Sequence, residues 1–218
     1  KLGETALTFP YWDEWRFAEI LQKYLAGNAG FADFWSQHNE HRILVPRLVM
    51  LAMARLSGWN VAWENGLSVA LGVCILGALL VLLRRLLRSE TDTLIAGLPL
   101  VSLLVFSWTQ NENWVWGFQC NVWLMMFAVY GGIVVLSSGA AYPLRVLIGV
   151  IAAAWATYSY ANGLFFWFAG VLLVWDPRVP REHRAAGLIV WLVAAGLIAE
   201  PYFINYVKPS VSPSLLTG

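Results

Sequence analysis

The stretch VLIGVIAAAWATYSYANGLFFWFAGVLLVW, residues 146–175, contains no charged side chain. A spanning helix needs about 20 mostly apolar residues to cross roughly 30 Å of hydrocarbon. The stretch is therefore either one long tilted helix or two arms that turn at Ala161-Asn162-Gly163. Lys and Arg in short loops stay on the cytoplasmic side of a membrane, and that rule decides between the two readings. Arg84, Arg85 and Arg88 mark one inner loop, and Arg178, Arg181 and Arg184 mark another. An even number of crossings must separate them. Apolar runs at residues 94–108 and 119–137 provide two, so residues 146–175 must provide two more, as a hairpin with Asn162 at its outer tip. Each arm is short for a full crossing and is expected to extend into its flanking loops or to be partly buried in protein.

The surrounding chain fits the same plan. Of its 218 residues, 59% are hydrophobic and 12% charged. Soluble domains carry about a quarter charged residues, so a soluble protein is excluded. The formal net charge of +1 comes with no long basic run, which leaves nucleic-acid binding without an electrostatic footprint. Cys74 and Cys120 form no CxxC pair, so neither a disulfide framework nor a thiolate metal site is supported. Apolar runs at residues 62–83 and from Ala185 onward, the latter interrupted by Glu200, complete a bundle of about six spans over residues 61–207. The expected fold is all-α, a polytopic helical membrane protein with juxtamembrane helices on its outer face. Residues 208–218 would begin an outer loop, and the chain reads as part of a longer polytopic protein.

With this parity, residues 1–60 lie outside. They hold twelve of the chain's 27 formal charges. Residues 12–24 place Trp12, Trp15, Phe17, Ile20, Leu21 and Tyr24 at near-helical spacing among Glu14, Arg16, Glu19 and Lys23, which predicts an interfacial amphipathic helix. Residues 43–56 are apolar but short and carry Arg47 and Arg55. A charge at mid-bilayer costs several kcal/mol, so this segment is expected to lie on the outer surface.

Chemistry-bearing residues collect on that outer side, whereas the inner loops show plain Arg and small residues. A site confined to one face suits an enzyme or binder. A transporter or flippase, the alternative, needs polar groups along a path through the midplane. A third class, a non-catalytic assembly subunit, would leave Asp13 and Glu14 as helix caps in solvent. Two roles are open to that pair: helix capping, or a carboxylate held at the membrane surface as a general base. His38-Asn39-Glu40-His41-Arg42 sets two His three residues apart, which on a helix could share a metal, with Arg42 able to clamp a phosphate; the other reading is a solvated polar turn. No His falls in an expected span, so a bis-His haem within the membrane is excluded. Gln110, Asn111, Glu112 and Asn113 alternate with Trp108, Trp114 and Trp116, a mix of amides and aromatic faces suited to a sugar, and Gln119 and Tyr160 fall on the same outer side. Asn162 is either part of that polar surface or turn chemistry.

The order of these parts, with an acidic pair, an amphipathic helix, a His-containing segment, a juxtamembrane helix ending in Arg55-Leu56-Ser57-Gly58 and a span ending in Arg84-Arg85, resembles the GT-C membrane glycosyltransferases. It is most similar to the protein O-mannosyltransferase and aminoarabinose-transferase branch, over residues 10–90. The His-Pro-Pro of many relatives is here His41 with a single later Pro46. In that family a first span precedes the acidic motif, so the chain would lack it and the C-terminal part. The resemblance implies transfer of a sugar from a polyprenyl-phosphate donor to an acceptor on the periplasmic face of a bacterial inner membrane. It further implies Asp13 as the base, Glu14 supporting it or binding a divalent metal, and His38, His41 and Arg42 near the donor phosphate.

Overall fold

The computed structural model describes residues 9–87 and 91–209. The chain is all-helical, and the only β pairing among the described residues is an isolated bridge between His38 and His41. The α-helices of the described residues are, in order, α1 (Glu14–Leu25), α2 (Phe31–Trp35), α3 (Leu44–Ser57), α4 (Ala62–Leu87), α5 (Thr91–Val105), α6 (Asn111–Val115), α7 (Cys120–Leu136), α8 (Tyr142–Thr157), α9 (Phe165–Val174) and α10 (Arg181–Phe203). Arg88 and most of the expected outer loop 208–218 lie outside the described residues.

Among the described residues three helices are long and apolar enough to cross a membrane: α4, the segment Gly117–Leu136 that ends in α7, and α10. The other three expected runs form shorter helices. α5 has 15 residues and contains Pro99. The hairpin over residues 146–175 is present as α8 and α9, joined by a 3₁₀ turn at Ala161–Leu164. At 16 residues α8 is about 24 Å long, less than the roughly 30 Å of a hydrocarbon core. Its tip is tightly packed: a Cβ on Gly163 would stand 2.1 Å from the Ala156 carbonyl oxygen, so only glycine allows the two arms to close there.

Apolar packing holds the bundle in two layers. Near the end formed by α1 and α3, Phe17, Leu21, Ile43 and Met50 pack with Leu71, Ile75, Trp114 and Trp123. Further along, Leu136, Val146, Ala153, Phe166, Trp167 and Trp191 form a second cluster. The indoles in this layer are chained by hydrogen bonds, Trp167 Nε1 donating to Thr157 Oγ1 at 2.9 Å and Trp191 Nε1 to the Trp167 carbonyl at 2.9 Å. Buried indole N–H groups need such partners, and these lock α8, α9 and α10 in register. Large apolar side chains such as Leu103, Phe168, Leu172 and Leu197 remain exposed around the outside.

The two ends of the bundle differ in chemistry. At one end Arg85 donates to the Val134 carbonyl at 2.6 Å, and Arg145 donates to the carbonyls of Leu136 and Ser138, both at 3.0 Å. These are carbonyls left without intrahelical partners where α7 stops. Arg145 also meets Asp176 at 3.1 Å, and Arg178 grips the same carboxylate with two bonds of 2.9 Å. The two arginines hold the Asp176 carboxyl well below the usual carboxylate range. The opposite end carries α1, α2, α3 and the segment between α5 and α7.

α1 matches the amphipathic helix read from residues 12–24, but its buried side is narrower than expected. Phe17, Ile20 and Leu21 are buried, while Trp12, Trp15 and Leu25 are exposed. α3 buries Pro46, Arg47, Met50 and Ala54. Arg47 sits in this apolar helix because its Nη1 donates to the carbonyls of Phe34 at 2.8 Å and Ser36 at 2.5 Å, at the end of α2.

Candidate functional site

Chain reversal before α1 sets up the site. Trp12 adopts φ 50°, a left-handed conformation that a bulky residue seldom takes, and the ring it projects stacks 6.0 Å from Trp116. Trp116 in turn donates its Nε1–H to the Tyr11 carbonyl at 3.2 Å. Directly after Trp12, Asp13 occupies the N-cap position of α1 but makes no side-chain cap bond. Its carboxylate is left for other work.

Glu14 closes the helix start instead. It is fully buried, and its two oxygens accept the backbone N–H groups of Tyr11 and Phe118, each at 2.8 Å. Burial pushes its carboxyl above the ordinary value of 4.5, against the pull of those two N–H bonds. Glu14 is thus a clamp between the α1 entry and the segment before α7, and it does not line the cleft described next. On its other side this segment lies close against the start of α4, where a Cβ on Gly117 would meet Glu64 Oε2 and Val61 Cγ1 at 2.8 Å.

The two His lie on a tight turn, not on a helix. His38 N–H donates to the His41 carbonyl and His41 N–H to the His38 carbonyl, both at 2.8 Å, with Asn39 at φ 49°. Asn tolerates that conformation better than most residues. Directly opposed residues of such a pair point to the same face, so both imidazoles are presented together. His38 is 2% exposed and its Nε2 lies 3.4 Å from Asp13 Oδ2, a long contact rather than a full hydrogen bond. His41 accepts the Ala161 N–H on Nδ1 at 3.2 Å and stacks on Tyr160 with centroids 4.0 Å apart. In the neutral ring the proton then resides on Nε2, which lies 3.4 Å from Glu40 Oε1. Burial lowers the affinity of both imidazoles for a second proton, although Asp13 and Glu40 oppose it.

Asp13, His38 and His41 line one cleft of about 270 Å³, closed by the aromatic faces of Trp12, Trp116, Phe118 and Tyr160 and by the amides of Gln119 and Asn121. Asn121 is 3% exposed, with no hydrogen-bond partner for Oδ1. The cleft therefore combines the Asp13 and Glu40 carboxylates, two buried imidazoles, stacking faces and an unsatisfied amide oxygen. Such a set can orient a polyhydroxylated ligand and remove a hydroxyl proton. No group of three His, Cys, Asp or Glu suited to a metal occurs among the described residues.

The structure leaves the other expected site residues elsewhere. Arg42 is spent on backbone, its Nε donating to the Tyr202 carbonyl at 2.6 Å, Nη1 to the Trp35 carbonyl at 3.0 Å and Nη2 to the Ile204 carbonyl. It secures the end of α10, where helix carbonyls lack partners. Trp114 belongs to the core, with Trp123 3.9 Å and Phe106 5.3 Å away. Gln110 bonds the Leu104 carbonyl at 3.2 Å on the surface, and Glu112 and Asn162 are exposed outside the cleft lining. Asn121 and Phe118 carry the opposite lesson. They stand in an apolar run, and the only hint of Asn121 in the sequence is an amide at the very start of a span.

Compared with known proteins, the chain matches no family model, no curated protein sequence and no solved structure.

Proposed function

We propose that this chain is the membrane part of a glycosyltransferase that moves a sugar from a polyprenyl-phosphate donor to an acceptor hydroxyl. The reading places residues 61–207 in a bacterial inner membrane as about six spans, with residues 1–60 on the periplasmic side. The shorter helices then cross within protein or by local thinning, and the exposed apolar side chains face lipid. The observation that carries the reading is the cleft at the end that bears α1, α2 and α3, where Asp13 has no capping duty and stands beside His38 among aromatic and amide groups. Asp13 is the general base toward the acceptor hydroxyl. His38 lies beside that carboxylate, its Nε2 3.4 Å from Asp13 Oδ2, and the rings of Trp12, Trp116 and Tyr160 receive sugar faces. All lining residues come from one end of the bundle, which favours a surface reaction over transport through the midplane.

The test is Asp13→Asn assayed for sugar release from a polyprenyl-phosphate-linked hexose. Loss of a general base costs about 10²–10⁴-fold in rate. A rate within threefold of the parent removes Asp13 from the chemistry.

A further inference from the structure

Behind His38 lies a second cleft, of about 410 Å³, between α1, α2 and α3. His38 forms the wall common to both clefts. The second is lined on one side by Arg16, one helical turn beyond Asp13, and on the other by Arg47 of α3. Among the described residues neither guanidinium forms an ion pair. Arg47 is buried, and its bonds go from Nη1 to neutral groups: the carbonyls of Phe34, Ser36 and, at 3.4 Å, Asp33, and the Ser36 hydroxyl. The third cation, Lys23, is neutralised by Asp33 at 2.6 Å, and Asp33 is also tied to the Gly30 N–H. Glu19 is the remaining carboxylate of the lining. Two arginines thus face one concavity with a single uncommitted acid, and the buried His38 ring forms part of its wall.

Like charges gathered in a partly desolvated cleft repel each other unless an anion joins them. A planar guanidinium fork is also the side chain best matched to an oxyanion. We propose that the α1–α2–α3 cleft binds an oxyanion, a phosphate or carboxylate group, held by Arg16 at its mouth and Arg47 at its base. The site stands whether or not the Asp13 cleft transfers a sugar. It relocates anion binding from Arg42, whose donors are occupied, to the opposite side of His38.

The test uses the whole chain in phosphatidylcholine nanodiscs, titrated at constant ionic strength with inorganic phosphate, acetate and dihexanoyl phosphatidic acid, and read by shifts in the unfolding midpoint. Saturable stabilisation by at least one of these oxyanions, weakened about tenfold by Arg16→Gln and unchanged by Arg181→Gln at the far end, supports the site. Arg16 is exposed, so its replacement leaves the fold intact. Tighter binding of the lipid phosphate than of free phosphate identifies a headgroup as the source, and the reverse identifies a soluble anion; both outcomes support the site. The absence of saturable binding by all three probes overturns it. So does an Arg16→Gln variant that binds as the parent does, or an equal loss in Arg181→Gln.

Discussion

Arg42→Met separates a structural strut from a phosphate ligand. The arginine is 4% exposed, makes three bonds to backbone carbonyls and lies with its guanidinium carbon 5.4 Å over the Trp35 ring. Hydrogen bonds to charged groups contribute about 1.5–3 kcal/mol each. Three of them set an upper limit of roughly 5–9 kcal/mol, which water at the end of α10 and the coupling between the bonds reduce. A loss of about 3–5 kcal/mol is the expectation, the usual range for breaking a buried charged network. Methionine fills the apolar stem's space, so little of the loss comes from a cavity. At 2–4 °C per kcal/mol for a chain of this size, the unfolding midpoint in nanodiscs falls by roughly 6–20 °C. Hydrogen exchange should rise at residues 203–207 before the rest of the bundle. Arg42→Lys keeps the cation but cannot reach three carbonyls from one nitrogen, and should fall between the two. A midpoint shift under about 2 °C, with donor binding impaired instead, would refute the strut and restore the phosphate clamp.

Other outcomes follow from the same geometry. Glu14→Ala leaves the buried N–H groups of Tyr11 and Phe118 without acceptors, at about 1–3 kcal/mol each; denaturation should show a loss of about 2–5 kcal/mol, with Glu14→Gln losing less because its amide oxygen keeps one bond. His38 and His41 have folded affinities for protons below the ordinary 6.5, so the unfolded chain takes up protons that the folded chain refuses. Their contribution is complete above pH 6.5 and is lost as the pH falls below it. Glu14, with its raised carboxyl, has the opposite sign, contributing below its ordinary 4.5 and losing that contribution as the pH rises through its folded value. Over pH 7 to 5.5 the parent should therefore lose stability relative to a His38→Gln, His41→Gln double variant, the difference between their midpoints shifting against the parent as the pH falls; parallel curves would show that these imidazoles do not contribute. Arg16→Gln should leave stability within about 0.5 kcal/mol of the parent, as an exposed side chain with no ion pair.

Hydropathy and basic loops made the bundle legible, because both report one-dimensional quantities: run length and charge position. The hairpin α8–α9 follows from parity alone, even though its arms are short. Side-chain duties were harder to read. Asp13 and Glu14 are adjacent and chemically alike, yet the roughly 100° between successive helix positions directs one into a cleft and the other into the core, where the distant Phe118 N–H meets it. Arg42 looks like a free cation until α10, about 160 positions later, delivers its unpaired carbonyls. His38 and His41 read as a unit with two alternatives, a helix pair or a polar turn, and the turn is the one found, since Asn39 turns the chain left-handed, although both imidazoles are buried and not solvated. The amides around Gln110 signal a polar surface to which Trp116 and Gln119 also belong, whereas Asn121, which helps close the cleft, lies beyond it in the first turn of α7.

The most direct measurement compares Asp13→Asn with Glu14→Gln in single-turnover release of sugar from a polyprenyl-phosphate-linked hexose, with the unfolding midpoint of each variant recorded beside the rate. If Asp13 is the base and Glu14 the clamp, Asp13→Asn loses about 10²–10⁴-fold in rate at an unchanged midpoint. Glu14→Gln then shows a lowered midpoint and keeps its rate within about tenfold. A normal rate in Asp13→Asn, or a Glu14→Gln variant that is fully stable and inactive, would contradict the division of roles on which the proposed site rests.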